Sequence, residues 1–163
     1  MRTFNALAIS LIAISTGGAL VSPLAATKVA ENPIAVVLPT PADKPPYSAY
    51  KGVTIGTKTD EARAKLGGPK EKSDEQDFFE FSSREAAQVY YDAATHSVTA
   101  VMVTYSGKLD GVPTPKDVFG EDAEAKPDGG IFKMVRYPKA GFWISYNKTA
   151  GDDPMVIIAL NKM

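Results

Sequence analysis

Apolar and polar positions follow a two-residue rhythm through much of this chain. Phe79 and Phe81, Val89 and Tyr91, then Phe142, Ile144 and Tyr146 fall on every second position, the pattern of strands with one buried face. The aromatic run 77–82, the run 86–91 and the β-branched run 97–105 are predicted as three strands, with 92–96 as the hairpin loop joining the last two. The runs 131–137, 141–147 and 155–160 are predicted as three more.

Residues 52–69 break the rhythm and organise the strands after them. Thr57 or Thr59 is expected as an N-cap whose hydroxyl accepts an orphan backbone N–H. Asp60 and Glu61 then lie in the first turn and Lys65 in the last, as the helix dipole favours. Ala62 and Leu66 share a face, Gly67 or Gly68 suits the left-handed position after the helix, and Pro69 stops it. A helix over 59–66 is too short to stand alone, so Ala62 and Leu66 must pack on a sheet. The signal recurs more briefly at 114–120: Thr114 as N-cap, Pro115 at N1, Asp117 in the first turn and a terminal Gly120.

The predicted fold is therefore α+β: an antiparallel sheet with short helices on one face, in two tandem helix–β–β–β units, 52–107 and 111–161, within a single domain 51–163. Val89–Asp92 aligns with Ile144–Asn147, 55 residues on, which supports the repeat. The expected core includes Leu66, Phe79, Phe81, Val89, Tyr91, Phe119, Phe142, Ile144 and Tyr146.

Composition adds an address. The 163 residues are 44% hydrophobic, enough for one packed core. Residues 1–26 read as a secretory signal, with Arg2 ahead of an apolar stretch and Leu24-Ala25-Ala26 as cleavage site. The segment 27–50 reads as a linker, since five of the twelve prolines lie between Pro33 and Pro46; Ile34–Leu38 is an apolar island in it, suited to a sheet edge. There is no cysteine, hence no acylated lipid anchor and no disulfide framework. The expected location is periplasmic or secreted. Cleavage removes Arg2 and no acid, leaving a net charge of −2, which offers nothing to nucleic acid or an anionic membrane.

At this point the residues resemble a known family. Gly-x-x-Thr near a helix start, Leu66-Gly67-Gly68-Pro69 at its end, then Phe79-x-Phe81, Val89-x-Tyr91-Asp92 and Val98-x-x-Val101 resemble the BamE/SmpA/OmlA-type small envelope domain. The tandem arrangement resembles the β-lactamase-inhibitor-protein variant of that fold. The match covers 52–107 and, more weakly, 111–161. It implies a non-enzymatic, protein-binding role for an envelope or secreted partner. The assembly lipoproteins carry an acylated cysteine and the inhibitors carry disulfides; this chain has neither, so neither specific activity transfers.

Other motifs fail on chemistry. Gly52-x-x-x-Gly56-Thr57-Lys58-Thr59 is one residue short of a phosphate-binding loop, and Thr57 separates the glycine from the lysine. Ser48-x-x-Lys51 and Lys148-Thr149-Ala150 resemble penicillin-interacting motifs, but Ser-Asp-Asn is missing and Ala150 stands for glycine. His96, the only histidine, reads as a turn residue with positive φ rather than a catalyst. Asp60/Glu61, Glu121/Asp122 and Asp152/Asp153 lack calcium-loop spacing. No catalytic, cofactor or metal residues are assigned.

Three functions remain: a binding module, a hydrolase of envelope material and a small-ligand carrier. No nucleophile–base–orienter set is readable for the hydrolase, and the carrier needs an apolar pocket between sheet and helices. If Val89, Tyr91, Phe142, Ile144 and Tyr146 face the helices, then Gln88, Tyr90, Trp143 and Ser145 face away. Trp143, with Tyr90 beside it, is then the expected partner contact. The alternative inverts the faces and buries Trp143 in the core.

Overall fold

The computed structural model describes residues 43–163; the expected signal segment 1–26 and the apolar island Ile34–Leu38 lie outside the described residues. In chain order the elements are α1 (Thr59–Leu66), β1 (Glu71–Lys72), β2 (Gln76–Ser82), β3 (Glu85–Asp92), β4 (Ser97–Ser106), α2 (Pro115–Phe119), β5 (Ile131–Tyr137), β6 (Phe142–Lys148) and β7 (Met155–Lys162). The strands form one antiparallel sheet in the order β1-β2-β3-β4-β7-β6-β5. Together with two short helices this is the α+β architecture expected from the pattern. All six predicted strands are present; the two-residue β1 was not expected, because the segment 70–76 is charged and polar throughout.

Alternation decides the core. Every second residue of the central strands is buried, and register puts those residues side by side: Val89, Val101, Leu160 and Ile144 form one row, and Ala87, Val103, Ile158 and Tyr146 the next. Ala62 and Leu66 of α1 join the cluster built by β2, β3 and β4. Val118 and Phe119 of α2 join the cluster built by β6 and β7. Of the nine expected core residues, all are buried except Phe81, which is half-buried and stacks on Phe79 with ring centres 6.1 Å apart.

Tyr47, Ile55 and Tyr105 pack against both clusters and join them. Here the structure corrects the expected linker. Tyr50 is buried, pairs with Val53 across a tight turn and donates its hydroxyl to Glu85 Oε1 at 2.8 Å. The packed domain thus begins ahead of residue 51. Proline content hid this, although Tyr47 and Tyr50 are the large amphipathic side chains that a core can take up. Burial, then the Glu85 carboxylate, pushes the Tyr105 hydroxyl up to about 12.

The capping expectation holds for one helix and fails for the other. Thr114 and Asp117 form a reciprocal capping box, Pro115 sits at N1, and Gly120 takes the left-handed conformation at φ 82°. At α1 the N-cap position is Lys58 and no side chain caps it. The Thr57 hydroxyl instead accepts from the Thr54 N–H at 3.0 Å, and the Thr59 hydroxyl is buried without a partner among the described residues. Lys58 is drawn into an extended bridge with Ser97, so the chain enters α1 from a strand-like pairing. Gly67 ends the helix at φ 89° and ψ −168°, a glycine conformation but not the left-handed helical one expected there.

One buried polar constellation ties α1 to the sheet. Asp77, fully buried at the start of β2, accepts from Arg63 Nε at 2.7 Å, Arg63 Nη2 at 2.9 Å and the Tyr91 hydroxyl at 2.8 Å. Arg63 Nη2 also donates to the Ser73 carbonyl at 2.9 Å. Burial alone would push the Asp77 carboxyl up, but the hydrogen bonds from Arg63 and Tyr91 outweigh it and hold the group below the usual carboxylate range. A depressed carboxyl contributes stability that is complete above the unfolded value of about 4 and is lost as pH falls through the folded value. Asp77→Asn is expected to cost about 3 kcal/mol at pH 7 by leaving Arg63 uncompensated, and to cost less at pH 3. Urea midpoints at the two pH values measure this; a deficit equal at both would mean that Asp77 does not titrate in this range.

Candidate functional site

The helices lie on one face of the sheet, and the other face carries the most distinctive side-chain pattern of the domain. Across β3, β4, β7 and β6, register assembles three rows on this open face: Ala86, Thr104, Ile157 and Asn147; Gln88, Met102, Ala159 and Ser145; Tyr90, Ala100, Asn161 and Trp143. None of these twelve residues is charged, and all are half-buried. The face continues onto β5 with Met134 beside Ser145, Phe132 beside Asn147 and Arg136 beside Trp143. Phe132 is 55% and Met134 46% exposed, the two most exposed large apolar side chains inside any strand described.

The four residues expected to contact a partner therefore share one face: Gln88 and Tyr90 on β3, Trp143 and Ser145 on β6. The alternative that buries Trp143 in the core does not hold, since Phe142 and Ile144 on either side of it are the buried residues. The adjacency of Tyr90 and Trp143 is corrected, however. They lie in one row, but β4 and β7 run between them, a gap of about 14 Å at the usual strand spacing. Both residues are on the second long strand of their half of the chain, and the halves meet through β4 and β7, so these strands are never neighbours.

Between those aromatics the floor is low. Ala100 and Ala159 supply little more than a methyl group each, and with Tyr90, Met102 and Asn161, and Asp92 and Lys162 at one end, they line an open hollow of about 630 Å³. Its edges are fixed by local bonds. The Tyr90 hydroxyl donates to Gln88 Oε1 at 2.8 Å, which orients both side chains. Thr99, the extra residue of a bulge between β3 and β4, donates its hydroxyl to the Tyr90 carbonyl at 3.3 Å. Sequence reading missed the contributions of Phe132 and Met134. The signal was their period-two placement with Arg136 on a strand whose other face reads Lys133 and Val135.

His96 lies elsewhere, exposed at φ 49° in the β3–β4 loop, the turn role expected of it. The Asp92 carboxylate accepts from the backbone N–H of Ala94 at 3.1 Å and of Thr95 at 2.7 Å, which sets that turn. His96 borders a hollow of about 410 Å³ with Lys58, Thr59, Asp60, Arg63 and Asp74. Its cations are committed: Lys58 Nζ donates to the Thr95 carbonyl at 2.9 Å, and Arg63 holds Asp77. Among the described residues no three His, Cys, Asp or Glu side chains are grouped to hold a metal ion. Glu61 pairs with Lys65 at 2.7 Å and Glu121 with Lys133 at 2.8 Å. No helix described is long and apolar enough to cross a membrane.

No family model, no curated protein and no solved structure matches this chain. The resemblance to BamE-type envelope domains stands on the sequence motifs alone.

The single tryptophan reports on the face directly. Acrylamide is expected to quench Trp143 in the free protein, with emission red-shifted from that of a core indole. Blue-shifted, unquenched emission would show that something covers this face already.

Proposed function

We propose that this chain is an exported, non-enzymatic binding module that holds another envelope or secreted protein against the open face of its sheet. The observation that carries the reading is the block of twelve uncharged residues across four strands, continuous with exposed Phe132 and Met134. Monomeric proteins rarely leave so broad a semi-apolar face without use, and tyrosine and tryptophan dominate contacts between proteins. Small floor residues beside the Tyr90 ring give a complementary surface room to enter.

The proposal includes a tandem origin, with units 52–107 and 111–161. Each stretch runs helix then three long strands, and the sheet order is symmetric about the β4–β7 pair, with β2-β3-β4 on one side and β7-β6-β5 on the other. Val89 and Ile144, aligned in sequence, occupy matching strands, β3 and β6. The carrier reading has no comparable support: the side chains between sheet and helices, from Val53 to Leu160, are buried against one another. For the hydrolase reading, Lys58 Nζ does lie 3.2 Å from Ser97 Oγ, but the pair is exposed and that hydroxyl donates to the Thr95 carbonyl, with no third group to orient it among the described residues.

Two measurements test this. Mass analysis of protein from the source envelope or medium is expected to find a chain starting at Thr27; an intact membrane-bound Met1 would rule out export by cleavage. A photo-crosslinking residue at Tyr90 or Ser145 is expected to trap one and the same protein, whereas the same residue at exposed Ala64 on α1 traps none. Adducts from Ala64 alone would place the binding surface on the helix side and remove this reading.

A further inference from the structure

The two edges of the sheet are built differently. The β1 edge is two residues long, both charged and exposed, with Lys70 ion-paired to Glu80 beside it. That is how proteins blunt an edge against unwanted pairing. The β5 edge runs seven residues and, among the described residues, is paired with a strand, β6, on one side only. Among the described residues one bridge, Ala125 to Ile131, covers its start.

Backbone direction on β5 follows from that bridge. The Gly130 carbonyl accepts from the Lys126 N–H at 2.7 Å, so Gly130 faces away from β6. In an antiparallel strand alternate residues present their N–H and C=O to the same side. Phe132, Met134 and Arg136 therefore turn their backbone groups to the outside, and beyond the Ala125–Ile131 bridge those of Met134 and Arg136 have no backbone partner among the described residues, while the three side chains extend the open face. Phe132 and Met134 are exposed, and each end of the pair carries a cation. Lys126 Nζ stands 5.8 Å from the Phe132 ring centre, and exposed Arg136 has no ion pair among the described residues. The strand itself contains no acid; its Lys133 is paired with Glu121, so Arg136 is its free cation among the described residues.

We propose that β5 receives an eighth strand from the partner: an extended segment with apolar residues at alternate positions, flanked by acidic ones. This rests on the binding-module reading and specifies its mode. Main-chain hydrogen bonds from the free edge provide the grip, and the alternating apolar residues extend the Phe132–Met134 row. The cations at the two ends, about 14 Å apart along the strand, select acidic flanks. A second copy fits this edge less well, because antiparallel self-pairing about Met134 sets the Phe132 end, with its Lys126, against Arg136 of the other copy.

The test uses the full chain and a fluorescein-labelled nine-residue peptide in which valine alternates with glutamate and threonine, alongside the same peptide with lysine for glutamate. Anisotropy is expected to show the acidic peptide binding at least tenfold tighter, with slowed amide exchange on β5. Met134→Pro removes an outward N–H without touching the β6 ladder and is expected to weaken the acidic peptide at least tenfold. Arg136→Glu, a change at an exposed position, is expected to narrow or reverse the preference, and decides the matter even if M134P does not fold. Absence of binding by both peptides, equal binding of the two, or acidic-peptide binding unchanged in folded M134P or in R136E would overturn the proposal. So would a dimer of the chain in sedimentation that either variant dissolves, which would assign the edge to a second copy. If the Tyr90 and Ser145 crosslinks survive such a result, only the strand addition fails; if they are lost, the binding-module reading fails with it.

Discussion

A sheet one layer thick has two faces, and two helices of eight and five residues can cover only one of them. Side chains alternate along each strand, so a residue committed to the core commits its neighbours to the opposite side. The buried row Val89, Val101, Leu160, Ile144 is thus the reason for the open row Tyr90, Ala100, Asn161, Trp143 one residue along. Most surfaces in that position are answered with charge. Here the four central strands carry none across three rows, and that choice of side chain, unlike their placement, is not forced by packing.

The covered face is closed by its tyrosines as much as by its aliphatic residues. Tyr47 and Tyr105 touch both clusters, while Tyr50 meets Glu85, which also pairs with Lys51 at 3.3 Å. The Tyr47 hydroxyl is buried beside Tyr105 with no well-formed hydrogen bond among the described residues, an uncommon condition for a polar atom. Burial pushes the Tyr47, Tyr50 and Tyr105 hydroxyls well above their ordinary range, so this join between the two clusters stays neutral in all ordinary conditions.

How much of this was legible depended on how local the cause was. Strands, the Thr114 cap and the left-handed His96 are written in a few adjacent residues, and each is where the pattern places it. Facing followed from Phe142, Ile144 and Tyr146 alone. What could not be read were the long-range choices. Thr57 and Thr59 are both good caps by type, yet Thr57 bonds back to Thr54 and Lys58 pairs with Ser97, 39 residues away. Nothing in the residues around Asp77 shows that Arg63 and Tyr91 converge on it. Tyr90 and Trp143 were placed on the right face but too close together, because face depends on parity and neighbourhood depends on sheet order.

Every strand pair except one joins neighbours in the chain. The exception, β4 with β7, pairs Ser106 with Met155 and Ala100 with Asn161, separations of 49 and 61 residues. Hairpins form in microseconds from local contacts, whereas a pairing at this distance must first close a long loop. Each half can therefore assemble its strands early and wait. During that interval the innermost strands of the finished sheet are its outermost ones: two bare edges, rich in valine and isoleucine, with the main chain open to any strand nearby. The centre of the native sheet is in this sense the last part of the molecule to be protected, and crowding of unfinished chains is the condition under which it would pair with the wrong partner.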